Sequence, residues 1–320
     1  MMTVKPDAKI LLVWIGRLGD LIVSTPFVRA LRARYPRARI TMLVRGYAKE
    51  AACMIAEVDE VKNISNPLTV LSLAFGHYDL CVDLNPSYSR TAGSYVRLSG
   101  APVRVSFSKF RQDWFYTDTV AAPGEHEHMT QRYARLAEFF GAPFTPEMKL
   151  SVSSADMAAG KKLFDSLGLA GTAKVVIHPG NFRKFDHRWP QEKFIELTHR
   201  LLAKNIAVAY MCGPGEEKFV RPMAEKFGGK VPWVPPMRLG MTAGFMKNFD
   251  LLVVSATGTT HLAAATGTPV LSMNSQYSYE CWRPLAGAGA HLTSGDWKTC
   301  HPITVDEVYD NVMRLLPAQK

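Results

Sequence analysis

Four stretches of the chain gather glycines, hydroxyls and ionisable side chains closely enough to do chemistry. Gly16-Arg17-Leu18-Gly19-Asp20 sets a carboxylate directly after a glycine. Glycine lets the backbone approach a ligand, a helix N-terminus favours an anion or a carboxylate, and the plain reading of Asp20 is a helix cap. His178-Pro179-Gly180 leads into Arg183, Lys184, His187 and Arg188, four groups able to carry positive charge within six residues, and then Trp189-Pro190. That cluster suits a pyrophosphate and reads equally as a solvated basic loop, while Trp189 reads as core. Cys212-Gly213-Pro214-Gly215-Glu216-Glu217 is a glycine turn followed by acids, a pattern that can bind ribose hydroxyls. Glu217 alone is an ordinary first-turn acid. Ser255-Ala256-Thr257-Gly258-Thr259-Thr260-His261-Leu262 brings hydroxyls and a glycine to a helix start, where backbone N–H groups attract an anion. His261, inside that first turn, reads as a structural hydrogen-bonding group before it reads as a catalyst.

Other patterns are missing. G-x-G-x-x-G does not follow the first apolar run, which removes the main support for a dinucleotide. No D-x-D occurs, so nothing supports a metal held by paired carboxylates under a diphosphate. His126 and His128 stand two apart without a third ligand. No metal site and no cofactor are expected.

The elements that must position these stretches alternate. Lys9–Ile15 is a continuous apolar run of strand length, and a helix is expected from Asp20 to about Tyr35, ended by Pro36. Ile40–Val44 and Tyr78–Leu84 are further strands, with helices over Ala48–Ile55, Ser89–Leu98 and Gln131–Phe140. The pattern restarts after residue 150. Strands over Lys174–His178, Ala207–Cys212, Leu251–Ser255 and Val270–Met273 alternate with helices over Ala155–Leu167, Gln191–Lys204, Gly215–Phe227, Thr259–Thr266 and Val305–Leu316. This is the signature of parallel α/β sheets, and all four chemical stretches fall at strand-to-helix turns. Two α/β domains are expected, 1–152 and 153–320, facing each other across a cleft, with the last helix able to pack back on the first domain.

Length and composition agree. A chain of 320 residues fits two domains, and 47% hydrophobic with 21% charged residues is ordinary for a globular protein. No apolar stretch approaches the ~18 residues of a membrane span, and no cleavage-site pattern follows the first apolar run. Five cysteines without C-x-x-C spacing fit free thiols in a reducing cytoplasm. The formal charge is +10, shared evenly: 19 basic and 14 acidic residues precede position 151. Acid-free windows concentrate it, one holding Arg29 to Arg45 and another holding Arg90, Arg97, Arg104, Lys109 and Arg111. A nucleic acid, an anionic membrane surface and an acidic substrate all suit such charge. No aromatic-rich recognition module or groove-binding motif accompanies the arginines, so nucleic acid is not expected.

Taken in chain order, the four turns resemble glycosyltransferase family 9, the lipopolysaccharide heptosyltransferase group. The similarity runs through Ile10–Pro26, His178–Phe194, Met211–Glu217 and Val254–Pro269. It implies an α/β GT-B fold and inverting, metal-independent transfer of a heptose or related sugar from an ADP-sugar. By this resemblance Asp20, beside Gly19, is the general base that deprotonates the acceptor hydroxyl. Lys184, His187 and Arg188 neutralise the departing diphosphate. Glu216 binds ribose, the backbone at Met237 meets adenine, and Thr257, Gly258, Thr259 and His261 form the diphosphate loop. The acceptor it implies is an anionic, lipid-linked core oligosaccharide at the cytoplasmic face of the inner membrane, which the chain meets peripherally. Arg90, Arg97, Arg104, Lys109 and Arg111 are the candidates to hold that acceptor.

The sequence departs from the family at one position. An Asp usually precedes the Thr-Gly of the fourth turn, and Ala256 stands there. Either the donor is bound differently, or activity is lowered, or a neighbour such as Ser255 compensates. A catalytically silent nucleotide-sugar binder is the alternative reading.

Overall fold

The computed structural model describes residues 4–109, 114–121, 124–180 and 188–317. Contacts divide the chain into two compact units, 1–151 and 152–320. In the first, strands β1 (Lys9–Trp14), β2 (Arg39–Val44), β3 (Glu60–Asn63), β4 (Leu80–Asp83), β5 (Val103–Phe107) and β6 (Asp118–Val120) form a parallel sheet ordered β3-β2-β1-β4-β5-β6. Its helices are α1 (Leu18–Val23), α2 (Thr25–Arg34), α3 (Lys49–Cys53), α4 (Pro67–Leu71), α5 (Arg90–Leu98) and α6 (Met129–Phe139).

The second unit repeats the plan. Strands β7 (Ala173–His178), β8 (Ile206–Met211), β9 (Trp233–Val234), β10 (Leu251–Ser255), β11 (Val270–Asn274) and β12 (Gly289–Thr293) are parallel in the order β12-β11-β10-β7-β8-β9. Helices α7 (Ser154–Ser166), α8 (Gln191–Ala203), α9 (Glu217–Glu225), α10 (Leu239–Met246), α11 (Gly258–Thr266), α12 (Gln276–Trp282) and α13 (Val305–Leu315) complete it. Both orders are the doubly wound, Rossmann-like arrangement. Strand order reverses between β1 and β4, and again between β7 and β10, which opens a crevice at the carboxyl ends of those pairs.

Burial explains which strands form the centre. β1, β4, β8 and β10 are buried along almost their whole lengths, as continuous apolar runs require between two helix layers. The edge strands β3 and β12 are only half-buried and carry polar residues.

The single helix expected over Asp20–Tyr35 is two. The chain breaks at Ser24, whose hydroxyl donates to the Leu21 carbonyl at 2.7 Å, and Pro26 opens the second piece without an N–H to continue the first. Trp189 is core: fully buried, it donates its indole N–H to the Ile303 carbonyl at 2.8 Å. Helix α13, which could have packed back on the first domain, buries Val305, Val308 and Val312 in the second unit's core.

Candidate nucleotide-sugar site

In the second unit, three of the four chemical turns and Met237 meet at the carboxyl edge of one sheet. β7 ends in His178 and β8 runs into Gly213–Glu216. β9 leads to half-buried Met237, and β10 ends in Ser255, before the turn into α11. Because the strands are neighbours, the edge reads, in space, α11 turn, His178, Glu216, Met237.

His178 and Glu216 form a pair, His178 Nε2 lying 3.0 Å from Glu216 Oε2. The same oxygen accepts the Gly213 N–H at 2.7 Å. A carboxylate only accepts, so the histidine presents Nε2–H to it. Nδ1 is buried without a protein partner among the described residues. Gly180 makes room for this ring: its φ is +46°, and a Cβ there would lie 3.0 Å from His178 Cε1 and 3.2 Å from Thr257 Cγ2. Arg188 is buried next to this pair; burial pulls its pKa down, while the charges of Glu192 and Glu216 oppose the fall. Lys184 and His187 lie outside the described residues.

Ser255 is not available to stand in for an Asp at position 256. Fully buried, its hydroxyl donates to the Pro179 carbonyl at 3.1 Å and accepts the Trp189 N–H at 3.0 Å. It ties β10 to both ends of the basic loop.

The α11 turn is less open than its sequence suggests. Thr257 is the N-cap and accepts the Thr259 N–H at 3.3 Å, while the Thr260 hydroxyl accepts the Thr257 N–H at 3.4 Å. This capping box takes up donors that the sequence left for an anion. Gly258 opens the helix and His261 is buried in its first turn. Cys212, at the start of the Gly213–Glu216 turn, is a poor nucleophile: burial, then Glu217 and Glu216, push its thiol up to about 12. All five cysteines are free and four are buried.

In the first unit, Asp20 occupies the first turn of α1 and is half-buried. It does not cap that helix; Arg17 is the N-cap residue and makes no side-chain cap. The preceding turn is braced from both sides. Trp14 donates its indole N–H to the Arg17 carbonyl at 3.1 Å, and Tyr47 its hydroxyl to the Gly16 carbonyl at 2.5 Å. A Cβ at Gly16 would strike the Trp14 ring.

Beside this turn lies a buried polar cluster that sequence reasoning missed. Asp83, fully buried at the end of β4, pairs with Lys109 and accepts the Tyr116 hydroxyl at 2.7 Å. Its other oxygen accepts the Asn85 N–H at 2.9 Å. Asn85 in turn accepts the Ile15 N–H and donates to the Val13 carbonyl, both at 3.2 Å, so β4 is locked to β1 where the Asp20 turn begins. Tyr133 donates to the Leu84 carbonyl at 3.1 Å. Burial first, then the negative charges of Asp20 and Asp83, push its hydroxyl pKa well up. The available signal was Asp83 itself, an acid inside an otherwise apolar strand.

The acceptor candidates separate. Lys109 is corrected from a surface cation to the buried partner of Asp83, because a carboxylate out of water needs a counter-charge. Arg104 is bound to its own surroundings, through the Phe115 carbonyl at 3.0 Å and the Ala101 carbonyl at 2.7 Å. Arg90 and Arg97 are exposed, seven residues apart on one face of α5. Arg111 lies outside the described residues. Among the described residues no three His, Cys, Asp or Glu side chains gather as a metal-binding group.

Known proteins share this architecture. Residues 71–303 match glycosyltransferase family 9 (heptosyltransferase), well over half of the chain. Lipopolysaccharide heptosyltransferase 3 of Escherichia coli (strain K12) is 24% identical over 328 residues, covering 94% of this chain and 92% of that protein. The glycosyl transferase family 9 structure from Veillonella parvula DSM 2008 superposes with a TM-score of 0.85 at 19% identity, covering 96% of this chain and 97% of that one. The E. coli ADP-heptose lps heptosyltransferase II structure does so with a TM-score of 0.81 at 20% identity, over 96% and 98%. These structural matches carry the fold, a GT-B protein of two Rossmann-like units. The chain belongs to glycosyltransferase family 9, the heptosyltransferase family.

Proposed function

We propose that the protein transfers a heptose, or a related sugar, from an ADP-sugar to a lipopolysaccharide core-type acceptor, inverting the anomeric carbon without a metal or other cofactor. One observation carries the reading: the order of groups along the carboxyl edge of the second sheet. The α11 turn, His178, Glu216 and Met237 follow one another on adjacent strands. An ADP moiety carries diphosphate, ribose and adenine in that same order. Adjacent strands are about 4.8 Å apart, so neighbouring turns are spaced on the scale of its parts.

Each group then has a task. The α11 N-terminus meets the diphosphate, with the Thr257 hydroxyl turning from cap to ligand partner. Arg188, with Lys184 and His187, offsets the negative charge that develops as the diphosphate leaves. Glu216, held by His178 and the Gly213 N–H, accepts from a ribose hydroxyl. Asp20 takes the proton of the acceptor hydroxyl as that oxygen attacks the anomeric carbon and the bond to the diphosphate breaks. Names of relatives support donor and acceptor: one is a lipopolysaccharide heptosyltransferase, another an ADP-heptose heptosyltransferase. Lipopolysaccharide core is assembled on a lipid anchor, so the reading places the enzyme at the cytoplasmic face of the inner membrane. Arg90 and Arg97 are the remaining described candidates for the acceptor's acidic groups.

The test is a panel of nucleotide sugars, scored for binding, transfer and hydrolysis with a core-type acceptor. Transfer from ADP-heptose and not from UDP- or GDP-sugars is expected. Binding of ADP-heptose without turnover, together with transfer appearing in Ala256→Asp, would establish the silent binder instead. No binding of any nucleotide sugar at micromolar concentration removes the reading.

A further inference from the structure

The segment Pro67–Phe75, α4 followed by a 3-10 turn over Ser72–Phe75, lies on the first unit with an apolar face outward. Leu68, Leu71 and Phe75 recur at i, i+3 and i+7 and are 73%, 58% and 70% exposed. Leu73, out of phase with them, is fully buried against the core that holds Tyr78, Ala92 and Val96. One leucine therefore anchors the segment while three large side chains on the opposite face meet water. Single exposed apolar residues are ordinary, but three on one helical face form a patch that calls for a partner.

Charge identifies the partner. No acid occurs between Glu60 and Asp79. The turn Arg45–Lys49 packs against the residues leading into α4, since a Cβ on Gly46 would lie 3.4 Å from Asn63 Nδ2 and Ser65 Oγ. Arg45, Tyr47 and Lys49 are exposed on it, and neither cation has an ion pair among the described residues, while Glu50 is half-buried. Apolar side chains beside free cations and an exposed tyrosine match a membrane interface, where the former enter the acyl boundary and the latter meet lipid phosphates. A segment this short also offers far fewer than the roughly 20–30 residues a side of a stable protein interface. Among the described residues no helix is long and apolar enough to cross a membrane, so the contact is peripheral.

We propose that Pro67–Phe75, with Arg45–Lys49, docks the protein on an anionic lipid bilayer. Tyr47 bridges this surface to the catalytic turn through its bond to Gly16, so docking sets the Asp20 turn close to the lipid. The inference deepens the proposed function by naming how a lipid-linked acceptor is approached, and rests on it only there.

Co-sedimentation of the full chain with vesicles of phosphatidylethanolamine and phosphatidylglycerol, compared with phosphatidylcholine vesicles, tests it. Binding to the anionic vesicles that weakens with salt is expected. Leu68→Ser, Leu71→Ser and Phe75→Ser together lower the partition coefficient by tenfold or more, on the order expected for withdrawing buried apolar side chains. Arg45→Ser with Lys49→Ser lowers it by about fivefold per cation and removes the preference for anionic lipid. All these side chains are solvent-facing, and an unchanged unfolding midpoint and far-UV circular dichroism confirm that each variant is folded. Absence of wild-type binding, or a triple variant that binds like wild type, overturns the proposal. So does loss of self-association in the triple variant with vesicle binding intact, which would make the patch a contact between copies. These vesicles contain no acceptor. Failure of transfer to a delipidated acceptor would count against the proposed function and leave the docking surface standing.

Discussion

A carboxylate in the first turn of a helix is usually its cap, and at Asp20 that explanation is unavailable: the N-cap is Arg17 and the turn is held by Trp14 and Tyr47. What remains of the plain reading is the favourable place of an acid in the first turn of a helix. Lys109 departs further from its plain reading. Its neighbours in sequence are basic and acid-free, which reads as a solvated face, yet its ammonium is buried on Asp83. Removing one member of a buried pair strands the other charge, so Lys109→Ala should cost about 3–5 kcal/mol of stability. Arg90→Ala, on the exposed face of α5, should leave the urea midpoint unchanged. Equal midpoints for both variants would contradict the buried pairing. Glycine-acid turns such as Gly213–Glu216 were legible because their chemistry is local. Asp83, Tyr116 and Tyr133 were not, because they meet only after three separate segments fold.

The central strands could be read from the sequence because burial on both faces demands an unbroken apolar run, as in Lys9–Trp14 and Leu251–Val254. β3, β9 and β12 lack that signal: two are half-buried edges with polar residues, and β9 has two residues. Helix α10 was equally hidden, being apolar along nearly its whole length and so without a polar face to mark its period. What it requires is a close crossing with α7. A Cβ at Gly160 would overlap the backbone of Gly244 and Phe245, so no side chain fits without parting the helices. Gly160→Val should therefore destabilise the second unit by about 1–3 kcal/mol through overpacking, read as a lower melting temperature. An unchanged melting temperature would show that the helices can separate freely.

At the scale of the molecule, most of the first unit's arginine cluster holds the fold together. Arg29 pairs with Glu147, Arg32 with Asp59, and Arg39 with Glu60, and Arg34 bonds the Phe140 carbonyl. These pairs cancel within the fold and leave the net charge at +10; the exposed cations behind that excess include Arg45, Lys49, Arg90 and Arg97. Acid sensitivity is built into the second unit. Burial, with help from Arg283, pulls the His291 pKa from 6.5 to about 4. The folded state keeps this histidine neutral, while the unfolded chain binds a proton below pH 6.5. Its contribution is therefore full above pH 6.5 and is lost as pH falls toward 4, about 3 kcal/mol in all. His291→Asn should flatten the stability profile between those limits, measured by urea unfolding across pH; a profile parallel to wild type would exclude the histidine as its source.

The account's central claim, that Asp20 is the base of the proposed transfer, is tested most directly in Asp20→Asn. Transfer from ADP-heptose to a core-type acceptor and donor affinity are measured on the same protein. Loss of a positioned base should slow transfer by about 10²–10⁴-fold, with donor affinity unchanged because Glu216, His178 and the α11 turn are untouched. Transfer at the wild-type rate would contradict it.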